Sequence, residues 1–447
     1  MQISQPKGIS NFFKMMLDHP KGLYFLFCVE MWERFSYYGI RALLFLYMTE
    51  KLIFSVGKAG SIYAWYTGLI YTTPLIGGYI ADRYLGARRS ILIGGGLMAL
   101  GQFCLATGSL NLFFAALGLL VLGNGFFKPN ISTIVGKLYP ENDHRRDGGF
   151  TIFYMGINLG AFLAPLVCGT LAKLYGYKYG FMFAGFGMIL GLIIYILGQN
   201  KFLAHYGLAP IHCKEQKECP ADATDLDKPL TKEDKQKIAV IFTLVFFSIF
   251  FWSSFEQAGS SLTLFAEHST NRMLPILHKN IPASFFQSIN PFLIMILAPL
   301  FSSLWLGLSN KKLDPSAPMK FVLSLSFVSL GFIVMFFAAN LAGLSGKVSF
   351  LWLISVYFLH TIGELCLSPV GLSMITKLAP LRFASMLMGV WLSGSSLANL
   401  TAGFFAGNYD KISHNFFFLI PAVTSGIAAV ILLALVPVLK KWMNGVE

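Results

Sequence analysis

Residues 30–41 read EMWERFSYYGIR and lie inside an otherwise apolar run from Gly22 to Met48. That run is long enough to cross a bilayer as a helix, which takes about 20 residues. Two glutamates and two arginines at membrane depth are costly unless they face a cavity or one another. At ~100° per residue, Glu30, Arg34, Tyr37 and Arg41 fall within roughly 60° of one another, flanked by Glu33 and Tyr38. The polar groups thus share one face, as expected of a helix lining a polar cavity. A static knot of salt bridges would explain the charges but not the tyrosines among them.

The rest of the chain fits this setting. It has 447 residues, 55% hydrophobic and 12% charged, with mean hydropathy +0.64. A soluble domain of this size carries about twice that share of charge. Windows of about 20 residues mark twelve apolar segments near 22–48, 61–81, 90–109, 112–138, 149–173, 179–199, 238–266, 283–308, 319–341, 349–376, 383–407 and 415–439. The expected fold is therefore an all-α polytopic membrane protein with twelve transmembrane helices. Alternating strands with aromatic girdles are absent from the sequence, which excludes a barrel. No small-residue cleavage site follows a short apolar core, so the first helix is expected to be retained.

The net charge of +13 invites thoughts of nucleic acid, but its distribution argues otherwise. With both termini placed in the cytoplasm, 23 of the 34 Lys and Arg fall in inside segments, 8 outside, and Arg34, Arg41 and Lys128 at membrane depth. That bias follows the positive-inside rule, so the lipid bilayer is the expected partner and nucleic acid is not. None of the six cysteines sits in an outside loop, so no disulfide framework is expected.

Polar, charged residues dominate 201–236, which read as a cytoplasmic linker between an N-terminal six-helix bundle (1–200) and a C-terminal one (237–447). His212, Cys213 and Cys219 in that linker lack the fourth ligand and spacing of a structural metal site, so no metal is expected. Two six-helix halves are the plan of many secondary transporters. After the second segment comes GGYIADRYLGARRS, with Gly78, Asp82, Arg83, Gly86, Arg88 and Arg89 in a short inside loop. It resembles the G-x-x-x-D-[RK]-x-G-[RK]-[RK] signature of the major facilitator superfamily, with one extra residue before the second glycine. Gly78, Asp82, Arg83 and Arg88 are accordingly taken as a conformational loop.

The remaining deep charges are Lys128 in the fourth segment, Glu256 in the seventh and Glu364 in the tenth. With the first segment, these occupy symmetry-related positions of a duplicated six-helix plan. The first half balances to +1 and the second to −2, so a ligand bridging them would place a carboxylate on the first and an ammonium on the second. Pairs on one helical face, at i, i+3 or i, i+4, surround these charges: Tyr154 with Asn158, Trp252 with Glu256, Gln287 with Asn290, Glu364 with Ser368, Trp391 with Ser395. His360, one turn before Glu364, reads as a packing residue.

These stretches resemble the proton-coupled oligopeptide transporters, the peptide branch of the major facilitator superfamily. The E-x-x-E-R-F-x-Y-Y element matches Glu30, Glu33, Arg34, Phe35, Tyr37 and Tyr38. FFKPNISTIVGKLYPENDHRRDGGFTIFYMGINLGAFLAP, from Phe126 to Pro165, looks like the family signature across the fourth and fifth helices. FQSINPFLI and GELCLSPVGLS resemble its eighth- and tenth-helix elements. The resemblance implies import of di- and tripeptides driven by protons as the coupling ion, with no other cofactor, in the inner (plasma) membrane. It implies that Arg34 and Lys128 meet the peptide carboxylate, and that Glu364 meets the amino group with Asn158 and Asn290. Glu30, Glu33 and Arg34 would couple protons, with Arg41–Glu256 and Lys128–Glu364 as ion pairs between the halves. Tyr37, Tyr38, Tyr71, Tyr154, Trp252 and Trp391 would shape side-chain pockets beside Ser368 and Ser395. Many bacterial relatives insert two further helices between the halves; here only the polar linker stands there. A proton-coupled symporter of another small anion or metabolite is the alternative. An intramembrane enzyme is disfavoured, since neither H-E-x-x-H nor G-x-S-x-G occurs.

Overall fold

Backbone groups cannot be left unpaired in lipid, and an apolar segment answers this locally by closing its own hydrogen bonds as a helix. The computed structural model describes residues 18–140, 143, 145–204, 206–208, 231–274, 278–380 and 383–445. Among them twelve long helices follow one another: α1 (Lys21–Leu46), α2 (Val56–Ile80), α3 (Ala87–Ala106), α4 (Leu110–Lys137), α5 (Arg146–Tyr175), α6 (Tyr177–Phe202), α7 (Lys232–Phe255), α8 (Ile289–Asn310), α9 (Ala317–Ser345), α10 (Leu351–Leu378), α11 (Ala384–Ala406) and α12 (His414–Trp442). Each expected segment coincides with one of them to within several residues, except the seventh, whose helix stops at Phe255 and not near 266. Residues 209–230, with His212, Cys213 and Cys219, lie outside the described residues.

Nine helical spans among the described residues are apolar enough by length and composition to cross a membrane. The other three long helices, α1, α2 and α11, carry the charged stripe or many Gly, Ser and Thr. Outward-facing apolar side chains such as Leu197, Leu344 and Val430 are 77%, 84% and 68% exposed. An apolar surface on that scale suits lipid and not water.

Local signals set the helix ends. Ser55 caps α2 by accepting from the Lys58 amide at 3.3 Å. Thr231 and Asp234 cap α7 reciprocally, each side chain accepting from the other's amide at 3.1 Å. The extra residue in the superfamily motif has a structural counterpart. Ala81–Leu85 form one wide turn in which the Gly86 amide donates to the Ala81 carbonyl five residues back, at 2.7 Å. Such a turn absorbs one added residue without breaking the helix. Gly86 then reverses direction at φ +76°, a conformation that a side chain would strain.

The expected single seventh helix is interrupted. After Phe255 the chain tightens into a 3₁₀ turn over Glu256–Gly259, and a short helix, Ser261–His268, continues beyond Ser260. Side chains satisfy carbonyls of the opened backbone: Gln257 Nε2 donates to the Ser253 carbonyl at 3.3 Å and the Thr263 hydroxyl to the Ala258 carbonyl at 2.8 Å, while Gln257 Nε2 also ties the turn to the Ala402 carbonyl of α11 at 3.0 Å. Gly259 lies against Tyr63 of α2 and Arg41 of α1, where a side chain would overlap the Tyr63 hydroxyl and crowd Arg41.

Helix neighbours repeat between the two sets of six. The contacts α1 with α5 and α6, α2 with α4, and α3 with α4 and α6 recur as α7 with α11 and α12, α8 with α10, and α9 with α10 and α12. Two seams join the sets. In one, Gly60, Ala64 and Gly68 of α2 meet Gly407, Gly403 and Leu400 at α11, and the Ser396 hydroxyl donates to the Gly68 carbonyl at 2.8 Å. In the other, Ser284 and Ser288 donate to the Pro165 and Phe162 carbonyls of α5 at 3.3 and 2.8 Å, while Phe162 stacks on Phe292. With an even number of crossings, both ends of the described chain share one face, here the terminal face. Both seams lie toward the opposite, far face and close the protein there.

Small residues let membrane helices approach closely, and that packing drives their association. Gly403→Val should hold the first seam apart. In a background freed of native cysteines, Ser284→Cys, 2% exposed in the closed seam, should then react faster with a membrane-impermeant maleimide. Unchanged labelling would show that the Gly403 crossing does not close the far face.

Candidate functional site

A cavity of about 410 Å³ lies between the two sets of helices, a volume suited to a small organic ligand. It is sealed toward the far face by the two seams. Tyr154, the lining residue of α5 nearest the terminal face, is 41% exposed, and the cavity opens that way.

One wall is basic. Arg34 and Arg41 reach it from α1 and Lys128 from α4, with Tyr38 and Tyr71 beside them. The Arg34 guanidinium is 3% exposed and held from behind by α1 itself. It pairs with Glu33 through two nitrogens, one at 2.7 Å, and with Glu30 at 3.3 Å. Its Nη2 also donates to Asn124 Oδ1 at 3.4 Å. Glu30 and Glu33 do not line the cavity; they act on it only through Arg34. Lys128 Nζ stands 5.4 Å above the Tyr71 ring and forms no ion pair with a described residue.

The opposite wall is acidic and amphipathic. Glu364 of α10 is 8% exposed and accepts from Asn290 Nδ2 at 2.8 Å. The same amide donates to Thr361 Oγ1 at 3.1 Å, so Asn290 of α8 fixes the carboxylate by gripping two residues of α10. Trp252, Trp391, Ser368 and Ser395 complete this side. The Ser368 hydroxyl is buried without a described partner. Asn158, on α5, donates to the Tyr154 carbonyl at 3.0 Å.

Between the walls, toward the far face, Arg41 Nη2 pairs with Glu256 across the two sets of helices. Arg41 also donates to the Tyr63 hydroxyl at 3.4 Å and lies 5.7 Å from the Tyr38 ring. The break in α7 lets this pair form, because it places Glu256 in the turn and Gly259 against Tyr63 and Arg41.

The family pattern for the POT family matches residues 88–210 and 211–425. The chain belongs to the POT family. It is 36% identical to the peptide transporter YePEPT of Yersinia enterocolitica over 97% of both chains. It is 32% identical to a di-/tripeptide transporter of Lactococcus lactis subsp. cremoris, over 97% of this chain and 98% of that one. The crystal structure of a POT peptide transporter in complex with sulfate superposes with a TM-score of 0.87 at 34% identity, covering 98% of this chain and 97% of the other. The fold is thus that of a major-facilitator-type POT transporter, a multi-pass membrane protein.

Two expectations for the POT site are corrected. Lys128 and Glu364 do not pair; Asn290 occupies Glu364, and the lysine stands over Tyr71 on the other wall. Tyr37 is not in the cavity wall; it is 6% exposed, packed against Tyr38 and beneath Arg34, whose guanidinium carbon is 5.1 Å from its ring. The remaining expected binding residues all line the cavity. Tyr357 and Asn399 line it too; Asn399 lies four residues after Ser395 and Tyr357 seven before Glu364, so the same-face spacing of those pairs extended one step would have found them. His360 also borders it, with its ring wedged between Phe255 and Phe332.

In the motif loop Arg88 is structural. Its guanidinium donates to the Tyr206 and Ala204 carbonyls and to Asn200, at 2.8, 2.5 and 3.2 Å, closing the end of α6 onto α3. Arg83 is exposed and bonded to the Tyr79 hydroxyl at 2.7 Å. Gly78 faces Pro129 of α4 at ordinary contact distance, and Asp82 is exposed at the surface.

Removing one partner of a buried ion pair leaves the other charge uncompensated, at a cost of about 3–5 kcal/mol. Arg41→Met should therefore lower thermal stability in detergent sharply, and Arg41→Met with Glu256→Gln should recover much of it. Additive losses in that double-mutant cycle would mean the pair does not hold the far face closed.

Proposed function

We propose that this chain is a proton-driven symporter that imports di- and tripeptides across the inner (plasma) membrane by alternating access, with both termini in the cytoplasm. The carrying observation is one cavity with a basic wall of Arg34 and Lys128 and, opposite, the carboxylate of Glu364. A peptide is a zwitterion with its charges at its two ends, and the cavity offers a site to each. The names of the Yersinia and Lactococcus relatives support peptides over another small anion.

In this reading the peptide carboxylate meets Arg34 and Lys128, and the ammonium meets Glu364 beside Asn158 and Asn290. The amphipathic surface of Tyr38, Tyr71, Tyr154, Trp252 and Trp391 takes side chains of varied character. Protons act through the carboxylates. Protonated Glu33 or Glu30 loses its charge and its hold on Arg34, which frees the guanidinium for substrate. Protonated Glu256 releases Arg41, which loosens the far-face closure. The structure has its far face closed, so it stands at the release end of this cycle.

Uptake of a labelled dipeptide into proteoliposomes under an imposed inward proton gradient tests the reading. Glu33→Gln should abolish gradient-driven accumulation while sparing peptide counterflow. Full accumulation by the correctly inserted variant would remove Glu33 from the proton path.

Glu364→Gln tests the acidic wall. The substitution keeps size and hydrogen bonding but loses charge, and breaking a desolvated ion pair commonly costs ~2–5 kcal/mol. Affinity for dialanine should fall tens- to thousands-fold, while N-acetyl-dialanine, already a poor ligand, should change little. Equal weakening of both ligands would show that Glu364 does not meet the amino group.

A further inference from the structure

Asn124 sits on α4, 1% exposed, one turn before Lys128, and its head group is used on both sides. Its Nδ2 donates to the Ile70 carbonyl of α2 at 3.0 Å. That carbonyl is a particular one. In an α-helix it would accept from residue 74, but residue 74 is Pro, which has no N–H. Asn124 therefore supplies the donor that Pro74 removes. Its Oδ1 accepts from Arg34 Nη2 of α1 at 3.4 Å.

The crossing is built around this exchange. One residue along, Gly125 carries the carbonyl that Pro129 of α4 leaves without an intrahelical donor. Gly77 of α2 lies directly against it, where an added Cβ would overlap the Gly125 carbonyl. Thr73 Oγ1 donates to the Val121 carbonyl at 2.9 Å. The carbonyl that Pro74 frees thus receives a donor from α4, and the carbonyl that Pro129 frees has Gly77 of α2 packed against it. Arg34 is the charged side chain bonded to Asn124 at that junction.

We propose that Asn124 is a positioning residue for Arg34: one amide ties the bend at Pro74 in α2 to the guanidinium on the basic wall. Only an amide of this length donates to one partner and accepts from the other. Ala does neither, Asp cannot donate, and Gln places its head group one carbon too far. Arg34 is held by Glu33 and Glu30 from its own helix, partners that move with α1, whereas Asn124 holds it from another helix. That hold comes from the pair of helices that carry Pro74 and Pro129. A change in the bend of α2 or α4 thereby turns Arg34 relative to the cavity.

The inference rests on the proposed function, since it is read through the peptide carboxylate. The experiment measures affinity for dialanine and for dialanine amide in proteoliposomes containing wild type, Asn124→Ala, and Asn124→Ala with Pro74→Ala. The second substitution returns an N–H to the Ile70 carbonyl and so repairs the backbone without restoring the Arg34 contact. Asn124→Ala should lose thermal stability and also lose about tenfold of the preference for the free carboxylate, as expected for one hydrogen bond to a charged group. The double variant should regain the stability and keep the lost preference. If the single variant does not fold, the double variant is compared with wild type directly.

A wild-type preference retained in either variant would overturn the assignment and leave Asn124 a backbone partner of α2 alone. A preference restored by Pro74→Ala would overturn it too, placing the effect in the bend and not in the Arg34 contact. A wild type that binds dialanine and its amide equally would strike the function reading itself, and the Asn124 role with it. The failures of the two readings are thus told apart by the wild-type measurement.

Discussion

Burying a guanidinium in a bilayer is the constraint on which the rest of this protein depends. Neither Arg34 nor Arg41 tolerates that setting without a carboxylate, and the two are compensated differently. Arg34 is paired within its own helix by Glu33 and Glu30, so its partners travel with it whatever the helices do. Arg41 is paired with Glu256 across the two sets of helices, so its compensation exists only while the far face is closed. The first arrangement suits a site that must work in every conformation. The second makes the closed state depend on the ionisation of two residues, because a neutral Glu256 no longer offsets the desolvation of Arg41.

The seams show why such a closure can be reversible. Lipid tails are as apolar as leucine, so helices in a membrane gain little from apolar burial and associate through close packing. Gly60, Gly68, Gly403 and Gly407 supply that closeness on one side, and serine-to-carbonyl bonds from Ser284 and Ser288 supply it on the other. Among the described residues one aromatic contact crosses each seam, Trp65 with Phe404 in the first and Phe162 with Phe292 in the second. The two are also equivalent by helix order: α2 with α11 and α5 with α8 exchange under the repeat that relates α1–α6 to α7–α12. Opening one face therefore disturbs two like contacts together.

Hydropathy made the twelve helices legible, because each apolar run ends where charge or turn residues begin. The polar face of α1 was legible from its spacing, and most of the cavity lining from charges and amides in helices that otherwise exclude them. What escaped had physical reasons. The break at Glu256–Ser260 falls in SSFEQAGSS, a polar patch that also reads as cavity lining of one continuous helix, and no proline marks it. Tyr37 shares the stripe of Arg34, but its ring turns beneath the guanidinium instead of into the cavity. Lys128 and Glu364 have opposite charges on facing walls, which suggests a pair, yet Asn290 reaches Glu364 first. Asn124 was hidden because its meaning depends on Pro74, fifty residues earlier in sequence and adjacent only in the fold.

The charge arithmetic of the cavity gives the proposed symport an electrostatic footing. Three cations, Arg34, Arg41 and Lys128, stand with four carboxylates, Glu30, Glu33, Glu256 and Glu364. With every group ionised the set carries one negative charge, and one proton makes it neutral. A peptide zwitterion adds nothing to this sum, so it cannot relieve the imbalance alone; a proton can. Arg41 and Glu256 cancel each other, and a single proton on Glu30 or Glu33 leaves Arg34 balanced by one carboxylate. Lys128 and Glu364 then remain, one of each sign, on opposite walls and without each other. A zwitterion completes both. Peptide and proton together thus leave no net charge in the membrane-embedded site, whereas either the fully ionised site or the fully ionised site with peptide leaves one. Because transferring net charge through a low-dielectric interior is the costly step, the conformational exchange is favoured for the co-loaded protein over the protein carrying peptide alone.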